Sequence, residues 1–452
     1  MDTSPAGDAS RPAPRVAYER WLDALARAGW TARPGGPAGG PAGQDSERVA
    51  VAKALGRITA AAVTARRPSP RTDCAAMDGV AVRAASLTSL PARLPSGTFE
   101  WIDTGDPMPD GADTVVMRER LLPQADGSML VTAADGQPGG GGRPGLVTRG
   151  QNVRAAGEDF AAGEILVPPG RRLRPGDLAA VAAGGHVTVA VTRRPVVAIV
   201  PTGDEIRPLG AALRRGDIID TNSLMLAARC AQLGVLPSTG TVVADDPDAL
   251  AAELRRTAAE ADLVLIIAGS SRGRGDHAAA VLEQVGCIAL AGVAVRPGHP
   301  AILGHVKPGT KEPGSGLAGP GGPGPGMAAA GAHRRGVVPA IGLPGYPLAT
   351  AVIFELFAVP LLSALQGQAP AAARVRARLD RDWVSPAHVE EWVLVTLTPA
   401  GDGGSPLARP ARRGAGSISQ LARGDAWWAI PVGQGEFRAG TEIDIMPVPQ
   451  AG

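Results

Sequence analysis

Two stretches constrain this chain more than any others: Val196-Val-Ala-Ile-Val-Pro-Thr-Gly-Asp-Glu-Ile206 and Leu263-Val-Leu-Ile-Ile-Ala-Gly-Ser-Ser271. Each is a short apolar run, rich in β-branched residues, that stops abruptly at Gly, Ser, Thr or acid. A strand that is apolar on both faces must be covered on both, the condition met inside a parallel sheet. Between the two runs the spacing predicts helices over 222–233 and 247–259 and a third short strand over 239–243. Strand, helix, strand, helix, strand in that order reads as consecutive right-handed βαβ units. Ligands of such sheets bind just past the carboxyl ends of the strands, where the loops carry the polar groups.

The rest of the chain supplies further domains, because 452 residues exceed what one core can organise. Residues 1–15 are polar and rich in Pro and Ala, and are expected to be disordered. Apolar residues at helical spacing (Trp21, Leu22, Leu25, Ala28) predict a helix over 16–30, followed by a Gly/Pro/Ala linker over 35–44. A second helix is predicted over 46–55, with Ser46 as its N-cap. Residues 57–117 read as short strands and turns, and 138–145 as a glycine-dense hairpin tip. A helix over 175–183 and strands over 187–191 and 196–200 lead into the α/β layer. Residues 307–335 carry few apolar side chains and no periodicity, the composition of a disordered insertion. They separate strands over 301–306 and 337–343, so a hairpin with a lengthened turn is expected. A long apolar helix follows over 347–365. Alternation over 392–397, 427–431 and 441–448 then predicts a small all-β domain.

Charge and composition exclude several functions. The net charge of +2 and the 3% aromatic content offer neither a basic stripe nor stacking platforms for nucleic acid. Cys74, Cys230 and Cys287 lie far apart, as small buried hydrophobes in a reducing compartment do. The N-terminus shows no apolar signal core, and no uninterrupted apolar run reaches the ~18 residues of a membrane span. A cytoplasmic protein without a membrane partner is expected.

The six histidines are scattered, and no Walker A or G-x-G-x-x-G loop follows a strand. What recurs is acid at loop tips: Asp78, Asp159, Asp204 with Glu205, Asp245 with Asp246, and Asp276. Small loops accompany them, Thr202-Gly203 and Gly269-Ser270-Ser271, whose backbone N–H groups could approach an anion closely. Carboxylates in such a set would hold a hard cation such as Mg²⁺ or accept from the amino groups of a ring. The plainer alternative stands beside this one. An Asp at a strand–helix junction is more often an N-cap, as Asp245 before Pro247 would be, and Asp78-Gly79 could be only a turn.

A longer series of motifs adds to this. In order they are Ala76-Met-Asp-Gly79, Thr104-Gly-Asp-Pro-Met-Pro-Asp-Gly-Ala-Asp113, Asn152-Val-Arg-Ala-Ala-Gly-Glu-Asp159, Thr202-Gly-Asp-Glu205, Asp220-Thr-Asn222, Asp245-Asp-Pro247, Arg296-Pro-Gly-His-Pro300 and Leu343-Pro-Gly-Tyr-Pro347. The series spans about 46–366 and resembles the molybdopterin molybdenumtransferase (MoeA) family and the related C-terminal domain of gephyrin. The resemblance implies an α/β and β multidomain fold. It has a mixed α+β first domain (16–70 and 150–195), an inserted β-rich lid (71–149), a central three-layer α/β domain with a mostly parallel sheet (196–368, carrying the insertion 307–335) and a C-terminal β-barrel (369–452). It also implies a homodimer with its site in a cleft between the α/β domain of one subunit and the lid of the other. The implied reaction inserts molybdate into adenylylated molybdopterin in a Mg²⁺-dependent step and releases AMP, with the molybdopterin adenylyltransferase as a further partner.

Carried over by matching position, the catalytic residues are Asp78, Thr104, Asp159, Glu205, Asp245 and Asp276, of which Glu205, Asp245 and Asp276 face the metal. Thr202, Gly203, Asp204, Gly269, Ser270, Ser271, Arg296, His299 and Ser417 are the binding set. The chain departs from the family pattern at several places. Arg296 and His299 stand for lysines, Tyr346 for an asparagine and Leu394 for an arginine, while Arg272 and Arg274 make the loop after the second apolar run more basic. The rival function is a non-catalytic carrier or sensor of the cofactor. Retention of every acid in the set argues for the enzyme.

Overall fold

The computed structural model describes residues 11–31, 46–132, 147–268, 277–309, 336–369, 374–400 and 403–448. The chain divides into two compact units, one of residues 46–192 and one that joins the N-terminal segment to everything from Arg193 onward.

The larger unit starts with helix α1 (Pro14–Arg27) and resumes with β1 (Val196–Pro201), α2 (Thr221–Gln232), β2 (Leu236–Thr239), α3 (Pro247–Ala258) and β3 (Leu263–Ala268). After α4 (Ala278–Val285) come β4 (Gly286–Ala291), β5 (Ile302–Val306) and β6 (Val338–Pro344). They form one sheet of order β2-β1-β3-β6-β5-β4, in which β1, β2, β3 and β6 run parallel, β5 pairs antiparallel with β6, and β4 pairs antiparallel with β5. Alternation along each strand separates two cores. Val197, Ile199, Leu263, Leu265 and Ile267 face α1, α2 and the segment Pro347–Leu365, while Ala198, Val200, Val264, Ile266 and Ala268 face α3 and α4. The result is a three-layer α/β sandwich, as the continuous apolar runs predict.

Several local expectations give way to tertiary pairing. Residues 46–50 form a strand, not the start of a helix: Ser46 pairs with Thr192 and Ala50 with Thr188, so Ser46 caps nothing. That pairing also places residues 188–192 in the smaller unit, not in the α/β layer. The strand expected over 239–243 ends at Thr239, and Val243 makes only an isolated bridge to Thr202. Residues 11–15 are ordered, with Ala294 N–H donating to Pro12 O at 2.9 Å and α1 beginning at Pro14; residues 1–10 lie outside the described residues. Helix α1, assigned from sequence to the first domain, packs instead on the α/β sheet. Trp21 is wholly buried there and its indole N–H donates to Gly304 O at 2.8 Å. Of the insertion, Lys307 and Gly309 bond back to Val285 O and Arg255 O, and 310–335 lies outside the described residues. Its flanks β5 and β6 pair antiparallel from Val306↔Val338, the expected hairpin.

The segment Pro347–Leu365 is helical throughout: α5 (Pro347–Ile353), a π-helical stretch Phe354–Ala358 and α6 (Val359–Leu365). Although Glu355 interrupts its apolar run, by length and mean hydropathy it would suffice to cross a membrane, but it is two-thirds buried at the centre of the larger core. Its Glu355 is paired with Arg229 of α2 at 2.6 Å.

Beyond it, β7 (Val375–Leu379), β8 (Glu390–Thr398), β9 (Leu407–Pro410), β10 (Ala426–Ile430) and β11 (Glu442–Pro447) close into a five-stranded barrel of order β8-β9-β7-β11-β10. Its interior holds Val393, Val395, Trp428, Ile430, Ile443 and Ile445. The smaller unit is a set of two- and three-stranded sheets around three cores. One, with Val51, Val63, Val181 and Val191, joins its two ends; the others lie in its middle, around Val80, Leu94 and Val131 and around Ala75, Ile102 and Val115.

Candidate active site

In the larger unit the chain leaves β1, crosses to β2 on one side and returns to β3 on the other. The carboxyl ends of β1 and β3 therefore flank the point where strand order reverses, the usual place for a ligand in such a sheet. The loop after β1 carries Thr202, Gly203, Asp204 and Glu205. Thr202 N–H and Oγ1 both donate to Ile267 O, at 2.9 and 3.2 Å, and Gly203 N–H donates to Val243 O at 3.1 Å. These two amides continue the sheet and are already engaged, so the first two residues shape the turn. Gly203 is required by its φ of +135° and because a Cβ there would meet Glu205 Oε2 at 2.9 Å. The turn thereby brings the Glu205 side chain back over its own backbone.

Asp204 and Asp245 hold each other through backbone amides: Asp245 N–H donates to Asp204 Oδ1 at 3.1 Å, and Asp204 N–H to Asp245 Oδ2 at 3.4 Å. The N-cap of α3 is Asp246, whose Oδ1 accepts from Ala249 N at 2.7 Å. Asp245 is thus not the cap that its place before Pro247 suggested. Two carboxylates come together, with one oxygen of each left outside the reciprocal bonds.

The rim continues from Glu205. Its carbonyl accepts from Ile218 N–H, Arg207 pairs with Asp217 at 2.9 Å, and Asp220 caps α2 through Ser223 N–H at 2.9 Å. Asn222, buried in the first turn, donates from Nδ2 to Gly345 O at 2.7 Å. That bond ties the β1 side of the rim to the loop leaving β6. On the far side of this loop lie the expected anion-binding residues. Arg296 and His299 are exposed, Arg296 in a two-residue strand (Val295–Arg296) that pairs parallel with β8 and His299 on the turn after it, whose Gly298 lies against Ile353 of α5, where a Cβ would meet Ile353 Cδ1 at 2.8 Å. Ser417 is half-buried, its hydroxyl 3.3 Å from that of Ser419, and follows a loop that receives Leu348 N–H at Ala415 O, 3.0 Å. Both loops therefore converge on α5. Leu394 faces the apolar core, nearly fully buried, so the position is filled as core.

In the smaller unit the three motifs come together around one small sheet. Ala76 N–H donates to Asn152 O, Gly105 N–H to Ala75 O, and Asn152 Nδ2 to Val115 O. Asp78 is exposed, and its Oδ1 accepts from both Thr104 N and Thr104 Oγ1 at 2.7 Å. These two bonds, the backbone one first, together with the nearby Arg118, hold its carboxyl below the usual carboxylate range. Gly79 is a glycine because a Cβ there would lie 1.9 Å from Val116 O on the neighbouring strand. Asp159 is exposed, with its N–H donating to Ser69 O at 3.0 Å. Sequence reasoning missed Asp73, whose Oδ1 accepts from Ala156 N at 2.8 Å and fixes the loop before Asp159. It missed Asn222 as well. Both sit within or beside the quoted motifs, but nothing in residue type alone distinguishes a side chain that holds a loop from one that faces solvent.

Gly269, Ser270, Ser271, Arg272, Arg274 and Asp276 lie outside the described residues. Among the described residues no three His, Cys, Asp or Glu side chains converge as a metal group.

Comparison with known proteins matches three family models in sequence along the chain. These are the MoeA N-terminal region (domain I and II) over 18–185, a "Probable molybdopterin binding domain" over 198–364, and the MoeA C-terminal region (domain IV) over 376–448. Curated relatives include the molybdopterin molybdenumtransferase of Nostoc sp., 28% identical over 90% of this chain and 89% of its own. That of Bacillus subtilis is 27% identical over 89% and 90%. Among solved structures, a molybdopterin biosynthesis moea protein from Pyrococcus horikosii aligns with a TM-score of 0.73 and 26% identity, covering 97% of this chain and 99% of the other.

Proposed function

The chain belongs to the MoeA family, and we propose that it is the molybdenumtransferase of molybdenum cofactor synthesis, inserting molybdate into adenylylated molybdopterin with release of AMP. The observation that carries the reading is the acid cluster at the carboxyl edge of the parallel sheet. Asp204 and Asp245 are locked together beside Glu205, and the helix cap is provided by a different residue, Asp246. Carboxylates that no helix needs, at a strand-order reversal, suit a ligand rich in phosphate and a hard cation.

Mg²⁺ commonly takes one or two carboxylates and fills its shell with phosphate oxygens and water. The donor set fits that habit: Asp245 and Glu205, with Asp276, would hold the ion, which would supply charge neutralisation at the phosphoanhydride. The protein's own part is orientation. Gly203 leaves room for the Glu205 carboxylate over the turn, and Asn222 holds the loop of Gly345 in register with the β1 side of the rim. On the anion side Arg296, His299 and Ser417 would receive the oxyanion. Positioning and preorganised charge of this kind are what phosphoryl chemistry asks of an enzyme. In the smaller unit Asp78, whose carboxyl Thr104 and Arg118 hold below the usual range, and Asp159 are the acids that match the family's motifs. A cytoplasmic homodimer that receives its substrate from the adenylyltransferase belongs to the same proposal, and sedimentation would check the dimer.

The test is incubation with adenylylated molybdopterin and Mg²⁺, with molybdate or tungstate, following AMP. Oxyanion-dependent AMP release is expected from the wild type and is lost in Asp245→Asn. Tight binding of the nucleotide without any AMP release would establish the carrier instead.

A further inference from the structure

Tyr346 opens α5 and carries an aromatic ring that is 60% exposed at the rim of the sheet. Its backbone is firmly held: Tyr346 O accepts from Thr350 N at 2.9 Å and from Thr350 Oγ1 at 3.1 Å, and Thr350 is itself wholly buried. The ring lies against the backbone of Gly416, where a Cβ would come within 3.3 Å of Tyr346 Cδ1 and 3.6 Å of Cε1. Among the described residues the phenol oxygen has no hydrogen-bond partner, so the contact is made by the ring face and edge alone. One residue further along, Ser417 presents its hydroxyl.

Among the restraints on the short segment that carries Ser417, besides the bond from Gln420 Nε2 to Arg412 O at 2.7 Å, are three that reach it from other elements. Arg413 is anchored to Glu391 of the barrel at 2.7 Å, Ala415 O accepts from Leu348 N at 3.0 Å, and the Tyr346 ring stands beside the exposed Gly416. The first two fix the segment's root and middle. Only the third touches the residue next to Ser417. A flexible glycine there would otherwise loosen the backbone that carries Ser417 and its hydroxyl, which lies 3.3 Å from that of Ser419. We infer that Tyr346 is a positioning residue: its ring, set beside Gly416, limits the movement of that glycine and so fixes the placement of Ser417 and through it the grip on the oxyanion. This rests on the reading that Ser417 meets the oxyanion.

The experiment combines amide hydrogen exchange over residues 415–419 with steady-state AMP release at varied molybdate. In Tyr346→Ala the amides of this segment should exchange at least about tenfold faster than in the wild type, since a local restraint is lost while the core is untouched. The KM for molybdate should rise about fivefold or more, with kcat at saturating molybdate within about twofold, as expected when placement of a binding group is loosened. Tyr346→Phe, which keeps the ring, should match the wild type in both. Gly416→Ala should raise the KM when Tyr346 is present, because its methyl meets the ring, and add nothing in the Tyr346→Ala background. Unchanged exchange in Tyr346→Ala overturns the inference. So does a Tyr346→Phe variant as impaired as Tyr346→Ala, which would mean that the phenol oxygen touches the ligand itself. A wild type that releases no AMP with either oxyanion would sink the functional reading, whereas the exchange data would still decide whether the ring holds the segment.

Discussion

Removing Arg413 should destabilise the protein by about 3 kcal/mol at pH 7, and by less in acid. Glu391 on β8 is 2% exposed, and its carboxylate accepts from Arg413 Nε at 2.7 Å, Arg413 Nη2 at 3.1 Å and Trp383 Nε1 at 3.0 Å. The guanidinium also stacks on the Trp383 ring, 4.4 Å from its centroid. Arg413→Ala removes two hydrogen bonds to a charged group, worth roughly 1.5–3 kcal/mol each, and leaves a buried carboxylate short of partners. Breaking a buried pair in this way costs roughly 3–5 kcal/mol, and the lower end applies because the guanidinium is 42% exposed. At about 2–4 °C per kcal/mol for a large cooperative unit, the melting temperature should fall by roughly 6–12 °C.

The reverse change, Glu391→Gln, should cost less, because the half-exposed Arg413 can turn to water and keep its stacking. pH supplies the decisive control. Burial pushes the Glu391 carboxyl up, but the bonds from Arg413 and Trp383 outweigh it and bring it below its ordinary value of 4.5. A carboxyl lowered in the folded state contributes stability that is complete above the ordinary value and is lost as pH falls through the folded one. The gap between wild type and Arg413→Ala should therefore be full at pH 7 and narrow toward pH 4. Urea unfolding followed by tryptophan fluorescence at the two pH values measures it. A gap under about 0.5 kcal/mol at pH 7, or one equally large at both pH values, refutes the ion-pair account.

Three other perturbations test other parts of the structure. Thr104→Val removes one of the two bonds to Asp78 Oδ1, so the Asp78 carboxyl should move up toward its ordinary value in a carbon-13 titration; an unmoved midpoint would mean that the hydroxyl contributes nothing. Trp21→Ala should cost roughly 3–5 kcal/mol in urea unfolding and Trp21→Phe clearly less, although the residue lies in a segment that sequence assigned to another domain. Replacing 310–335 by a short glycine-containing turn should leave the melting temperature within a few degrees, because β5 and β6 keep their register and shortening a long loop gains only about 0.6 kcal/mol per halving. Collapse of folding on that deletion would show the segment to be structural.

What was legible in the sequence follows from how local each signal is. A strand buried on both faces announces itself, because every one of its residues must be apolar, and β3 meets that condition from Leu263 to Ala268. The stretch from Ser46 to Ala50 carries no such mark. Its helix-like reading fails because Thr188–Thr192, more than 130 residues away in the chain, offers an edge that the propensities of five residues cannot foresee. The same distance hid the partner of α1: the helical spacing of Trp21 and Leu25 was plain, but Gly304, to which Trp21 bonds, lies 283 residues further on.

The site divides along the same line. Acids at loop tips were visible as acids, but which of two adjacent aspartates caps α3 depends on which carboxylate reaches Ala249 N–H, and the structure gives that task to Asp246. This frees Asp245, and the consequence runs back to the loop after β1. Because Thr202 and Gly203 have their amides engaged in the sheet, whatever negative charge approaches this edge cannot be met by them. Among the described residues, neutralisation then comes from a cation held by the carboxylates or from the basic residues near α5. The composition of the loop alone, Thr-Gly beside Asp-Glu, allowed an amide cradle and a cation site equally; the hydrogen bonds to Ile267 and Val243 favour the cation.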